Sequence, residues 1–155
     1  MFKFALSIIG IAGAALIFRI IKAVSPDDYC PQNAHSVDVS SFPYAKGDLH
    51  PCQYAGFLTV NEEKNHNLFY WLFKNPNVTA PLVLWLNGGP GASSMFALFL
   101  ENGPLRVTFS DDWELSAPDK AWTDDYHVIY VDQPVGTGFS YGDTYLTDMN
   151  VGAAE

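Results

Sequence analysis

Apolar residues in this chain fall into three kinds of run. From Phe4 to Ile21 nearly every position is apolar, with none of the polar face that an amphipathic helix of a globular protein keeps. After it the runs are short. Tyr54 to Val60 and Leu68 to Phe73 are rich in aromatic and β-branched residues and flank the polar stretch Asn61-Glu62-Glu63-Lys64-Asn65. This pattern predicts two antiparallel strands joined by a hairpin turn. Leu82-Val83-Leu84-Trp85-Leu86 is apolar without a break, which predicts a strand buried on both faces of a parallel sheet. Ser93 to Glu101 is compatible with a helix that Asn102-Gly103-Pro104 would end. Val128-Ile129-Tyr130-Val131 reads as a second buried strand. Strand, Gly-rich turn, helix and strand together make one βαβ unit, so the fold class is α/β. Residues 26–53 show little period and read as an irregular arm, leaving 54–155 as the α/β portion.

Composition supports a packed protein. Of the 155 residues, 48% are hydrophobic and only 16% charged, a balance that excludes a disordered tail. The basic residues of the first segment are Lys3, Arg19 and Lys22, which leaves five basic against seventeen acidic side chains in the remainder. Such a surface repels phosphate backbones, so nucleic acid is excluded as a partner.

Residues 1–25 have the basic start and apolar middle of a secretory signal, with Ala23-Val24-Ser25 offering small residues for cleavage. The run is long enough that Arg19 and Lys22 could instead flank an uncleaved signal-anchor helix, and only then would a membrane be a partner. Asn77-Val78-Thr79 is an N-glycosylation sequon in a polar turn, in agreement with the secretory pathway. Cys30 and Cys52 lack metal-ligand spacing. In an oxidising compartment they would pair and tie the arm to the start of the fold; otherwise they are two buried thiols.

Candidate chemistry is concentrated in Trp85-Leu86-Asn87-Gly88-Gly89-Pro90-Gly91-Ala92-Ser93-Ser94. This turn lies at the carboxyl end of a predicted strand, where α/β sheets place their ligands. Its glycines let the backbone approach a substrate, and Ser93 or Ser94 can cap the following helix. A rigid loop with free N–H groups suits an oxyanion hole or an anion cradle. No G-x-x-x-x-G-K-[ST] or G-x-G-x-x-G is present, so neither the phosphate loop nor the dinucleotide fold is indicated.

The same residues, with Leu98-Phe99-Leu100-Glu101-Asn102-Gly103-Pro104 and Val131-Asp132-Gln133-Pro134-Val135-Gly136-Thr137-Gly138-Phe139-Ser140-Tyr141, resemble the serine carboxypeptidase family. So do Tyr54-Ala55-Gly56-Phe57-Leu58-Thr59-Val60 and Leu68-Phe69-Tyr70-Trp71. The resemblance implies an α/β hydrolase that removes C-terminal residues from peptides without a cofactor or metal, usually at acid pH. It implies that the Gly89 N–H is one oxyanion donor, that Asn87 and the Gly88 N–H hold the substrate's terminal carboxylate, that Glu101 assists, and that Trp85 walls the pocket. Ala92 stands where many members have a disulfide-bonded Cys. Glu101 follows an almost wholly apolar helix and is expected to be buried, which would raise its pKa and let it donate a proton to a carboxylate.

Gly138-Phe139-Ser140-Tyr141-Gly142 matches the G-x-S-x-G nucleophile pattern. Ser140 is nevertheless not expected to be a nucleophile. Gln133-Pro134 and two glycines separate it from its strand, and no histidine follows it in the chain. His35, His50, His66 and His127 likewise have no partner serine in the expected order. The chain is therefore expected to carry part of an oxyanion hole and of a carboxylate pocket but no Ser-Asp-His triad, and to be a fragment or truncated product, with a missing neighbour strand beside Leu82–Leu86. Its destination would be a lysosome, a vacuole or the cell exterior. An acyltransferase of the same fold and a non-catalytic binding module are the competing readings.

Overall fold

The computed structural model describes residues 29–144; the signal or anchor segment expected at 1–25, and the last residues of the chain, lie outside them. A four-stranded mixed sheet organises the structure. Its strands are β1 (Gln53–Asn61), β2 (His66–Phe73), β3 (Leu82–Leu86) and β6 (His127–Val131), in the order β1-β2-β6-β3. β1 and β2 pair antiparallel as a hairpin, from Gln53 opposite Phe73 to Asn61 opposite His66, as their aromatic and β-branched residues and the polar turn between them predict. β6 then lies antiparallel to β2 and parallel to β3, with Leu82 opposite His127 and Leu86 opposite Val131.

The parallel pair requires a crossover. It contains α1 (Met95–Leu100) and a two-stranded antiparallel ribbon, β4 (Arg106–Phe109) with β5 (Trp113–Ser116). A short 3₁₀ turn at Trp122–Asp124 then leads into β6. The βαβ unit read from sequence is thus present, with the β4–β5 ribbon as an unforeseen insertion.

Alternation along the strands divides side chains between two faces. One face carries Trp71, Phe73, Trp85, Val128 and Tyr130, onto which Met95, Ala97 and Leu98 of α1 and Leu105 pack as the main core. The other face is covered at the end of β6, where Val135 packs on Leu68 and Val131, and over β1 and β2. There the arm folds back, Cys30 is disulfide-bonded to Cys52, and Tyr29, Tyr54 and Leu72 pack around the bridge. The pairing alternative for the two cysteines is therefore the one adopted, and residues 29–52 are an arm fastened to the sheet. Its Val37 N–H and His35 C=O bond to Gln53 and Ala55 of β1.

The expectation that β3 is buried on both faces does not hold. Leu82, Leu84 and Leu86 are 64, 58 and 50% exposed. The physical reason is that β3 is an edge strand among the described residues, with β6 on one side only, and no layer covers the face that these leucines share. No helix among the described residues is long and apolar enough to cross a membrane.

Candidate functional site

Because β3 and β6 run parallel, their carboxyl ends lie together. The turn Asn87–Ser94 leaves one and the loop 132–141 leaves the other, so two Gly-rich segments meet at one end of the sheet. Gly89 and Gly91 have φ of +134° and +99°, a left-handed region that residues with a side chain adopt only with strain. Gly88 and Gly89 are exposed, and their N–H groups enter no internal hydrogen bond among the described residues.

The flanks of the turn are held tightly. Ser94 is buried; its Oγ accepts the Asn87 N–H at 3.1 Å and donates to the Val131 carbonyl at 2.5 Å. Ser93 Oγ accepts the N–H of Met95, the first residue of α1, at 3.1 Å, and donates to Asp132 Oδ1 at 2.7 Å. Ser93, rather than Ser94, thus supplies the side-chain cap. Asp132 is fully buried at the end of β6 and also accepts the N–H of Ser94 at 2.7 Å and, on its other oxygen, that of Phe139 at 3.0 Å.

Of the residues singled out from sequence, Trp85, Asn87, Gly88 and Gly89 are brought together. Trp85 Nε1 donates to Asn87 Oδ1 at 3.3 Å, which orients the amide over the turn. Glu101 stands apart from them at the far end of α1. It is exposed rather than buried, because the helix stops at Leu100 and that residue is itself 48% exposed. The desolvation expected of Glu101 is therefore missing among the described residues. A cleft of about 450 Å³ lies beside it, lined also by Asn102, Lys120, Trp122, Asp124 and Asp125. Trp122 connects the two halves: its ring meets Trp85 edge-on, with centroids 5.3 Å apart. Sequence reasoning missed both Trp122 and Asp132.

Ser140 is placed as expected of a structural residue. It is buried, its Oγ accepts the Phe69 N–H at 2.8 Å and donates to the Asp132 carbonyl at 2.6 Å. The histidines are likewise engaged elsewhere. His127 Nδ1 accepts the Asn75 N–H at 2.9 Å, and His66 Nε2 meets the Thr144 carbonyl at 2.9 Å. His50 packs edge-on against Phe73. Asn77 is exposed, and its Oδ1 accepts both the N–H and the hydroxyl of Thr79, at 3.1 and 2.8 Å.

A mixed sheet with a βαβ crossover, and a Gly-rich turn at the strand ends whose Gly88 and Gly89 N–H groups are unbonded among the described residues, define an α/β architecture. The profile of the serine carboxypeptidase family matches residues 43–154, and the chain belongs to that family. It is 40% identical over 139 residues to the pheromone-processing carboxypeptidase of Ogataea parapolymorpha, an alignment covering 84% of this chain and 22% of the relative. It is 54% identical over 93 residues to the human probable serine carboxypeptidase CPVL, covering 58% and 19%. The solved prohormone-processing carboxypeptidase of Saccharomyces cerevisiae superposes with a TM-score of 0.51 at 34% identity, covering 63% of this chain and 22% of that one. The chain thus spans about a fifth of the length of the relatives it matches.

Proposed function

We propose that this chain forms the opening part of an α/β-hydrolase domain whose whole releases C-terminal residues from peptides in the secretory pathway. The observation that carries the reading is the pair of exposed N–H groups of Gly88 and Gly89, unbonded among the described residues and held on a turn fixed at both ends. Gly89 would donate to the oxyanion of the scissile carbonyl. Asn87 and the Gly88 N–H would bind the terminal carboxylate beside Trp85, and Glu101 would reach it across the cleft that Trp122 lines. Asn77 would carry a glycan. No metal or cofactor enters the scheme, and the partners are peptide or protein C-termini.

The 155-residue chain alone would bind without turnover, since no histidine follows Ser140 and the Ser140 hydroxyl is committed to backbone groups. Without a general base such a hydroxyl is a poor nucleophile. The test compares this chain with the longest natural product of its gene on N-blocked dipeptides bearing a free or an amidated C-terminus. The longer product should release the terminal residue from the free acid only and be blocked by a serine-directed phosphonylating reagent. Equal cleavage of the amide, or hydrolysis by this chain with label on Ser140, would overturn the reading. Acyl transfer would appear as ester or amide products in place of free acid.

A further inference from the structure

Asp132 is fully buried, and among the described residues no Lys, Arg or His stands within ion-pair distance of it. A carboxylate removed from water is costly unless other donors replace its hydration. Here those donors come from two separate segments. Ser93 Oγ and the Ser94 N–H bond to Oδ1, both at 2.7 Å, and the Phe139 N–H bonds to Oδ2 at 3.0 Å. The backbone of Asp132 adds a third tie, donating its N–H to the Phe69 carbonyl of β2 at 3.0 Å.

From Ser93 and Ser94 the connection runs outward. Ser94 Oγ holds the Asn87 N–H and Ser93 Oγ holds the Met95 N–H. The exit of the turn therefore hangs from this carboxylate through Ser93 Oγ and the Ser94 N–H, and the entry is coupled to it through Ser94, whose Oγ is also tied to the Val131 carbonyl. Gly88 to Gly91 is left as a short span between fixed ends. The opposite loop leaves room for nothing else: a Cβ on Gly138, whose φ is +55°, would fall 2.0 Å from Asp132 Oδ2.

We propose that Asp132 is the positioning residue that fixes where the Gly88 and Gly89 N–H groups point. Its consequence for turnover rests on the carboxypeptidase reading; the clamp itself does not. Donor placement matters because a shift of about 1 Å at a reacting geometry can cost on the order of 100-fold in rate. Loss of one oxyanion donor costs about 100- to 1,000-fold.

Asp132→Asn and Gly138→Ala, made in the longest natural product of the gene, disturb the same carboxylate from two sides. Amide hydrogen exchange is read at Asn87 and Met95, neither of which touches Asp132. Exchange at both should rise at least about tenfold, with the amides of β1 and β2 unchanged. On an N-blocked dipeptide, kcat per titrated active site should fall at least about tenfold. A merely structural role would reduce the number of titratable sites and leave kcat per site unchanged. Faster exchange confined to Ser94 and Phe139, or an unchanged kcat per site, overturns the proposal. If Asp132→Asn fails to accumulate, Gly138→Ala and Ser93→Ala carry the same expectation, with Asn87 as the reporter. A wild-type protein without peptidase activity overturns the carboxypeptidase reading instead, and the exchange at Asn87 alone then decides the clamp.

Discussion

Acid should destabilise this protein through His50. The ring sits where the arm meets the sheet: Nδ1 accepts the Cys52 N–H at 3.4 Å, and the ring packs edge-on against the fully buried Phe73 with centroids 5.5 Å apart. Burial pushes its pKa down to about 4, against the opposing pull of Asp124. The ordinary value is about 6.5. Between these two values the unfolded chain binds a proton that the folded chain refuses, so stability falls as pH falls through that window. The contribution is fully present above pH ~6.5 and, by linkage, about 2–3 kcal/mol is gone near pH 4.5. His50→Asn keeps an acceptor near Nδ1 and removes the titration. It should lower stability by a roughly constant amount at all pH, through lost packing on Phe73, and flatten the slope below pH ~6.5. Urea unfolding of wild type and variant in the longest natural product of the gene, between about pH 4.5 and 7.5, measures that slope difference. An unchanged slope in the variant would refute the burial argument.

Other expectations follow from single contacts. In the longest natural product of the gene, Ser140→Ala leaves the Phe69 N–H without its acceptor and should cost about 1–3 kcal/mol in urea titration, while a serine-directed phosphonylating reagent still labels the protein; loss of labelling would make Ser140 the nucleophile. Cys52→Ser opens a bridge with a sequence separation of 22 and should cost about 3 kcal/mol on loop-closure grounds, a prediction that an unchanged melting temperature contradicts. Residues 26–155 produced alone should aggregate or remain partly ordered, because β3 presents an open edge with half-exposed leucines. A soluble monomer with one sharp cooperative melt would show that edge to be harmless.

The elements read correctly from sequence were those whose pattern reflects their own surroundings. The β1–β2 hairpin is rich in aromatic and β-branched residues and carries its turn residues, and the runs at Leu82–Leu86 and Val128–Val131 are strand-length and apolar. β4 and β5 escaped notice because each has four residues, and Phe109 and Trp113 remain exposed at 63 and 53%, so no period could build up. The burial of β3 and Glu101 was inferred from composition alone. What covers an apolar residue is another element, and such a residue does not encode its cover. At the site, Trp85, Asn87, Gly88 and Gly89 were legible because they are contiguous. Trp122 reaches them only through folding, so spacing could not reveal it. Asp132 did leave a signal: an acid directly after a buried strand, with no basic neighbour in sequence, needs donors from elsewhere.

The strand order also has a consequence for synthesis. β6 lies between β2 and β3 but is made after both. β3 leaves the ribosome about forty residues before its partner, a delay of roughly 2–8 s at ordinary elongation rates. During that interval β3 has no strand beside it and its leucines are open to a chaperone. The turn before it waits as well. Asn75 is fastened by His127 and by the carbonyls of Thr123 and Asp124, all of which arrive with β6. The proposed glycan at Asn77 would thus be attached to a turn whose contacts with Thr123, Asp124 and His127 have yet to form, before the sheet closes around β6.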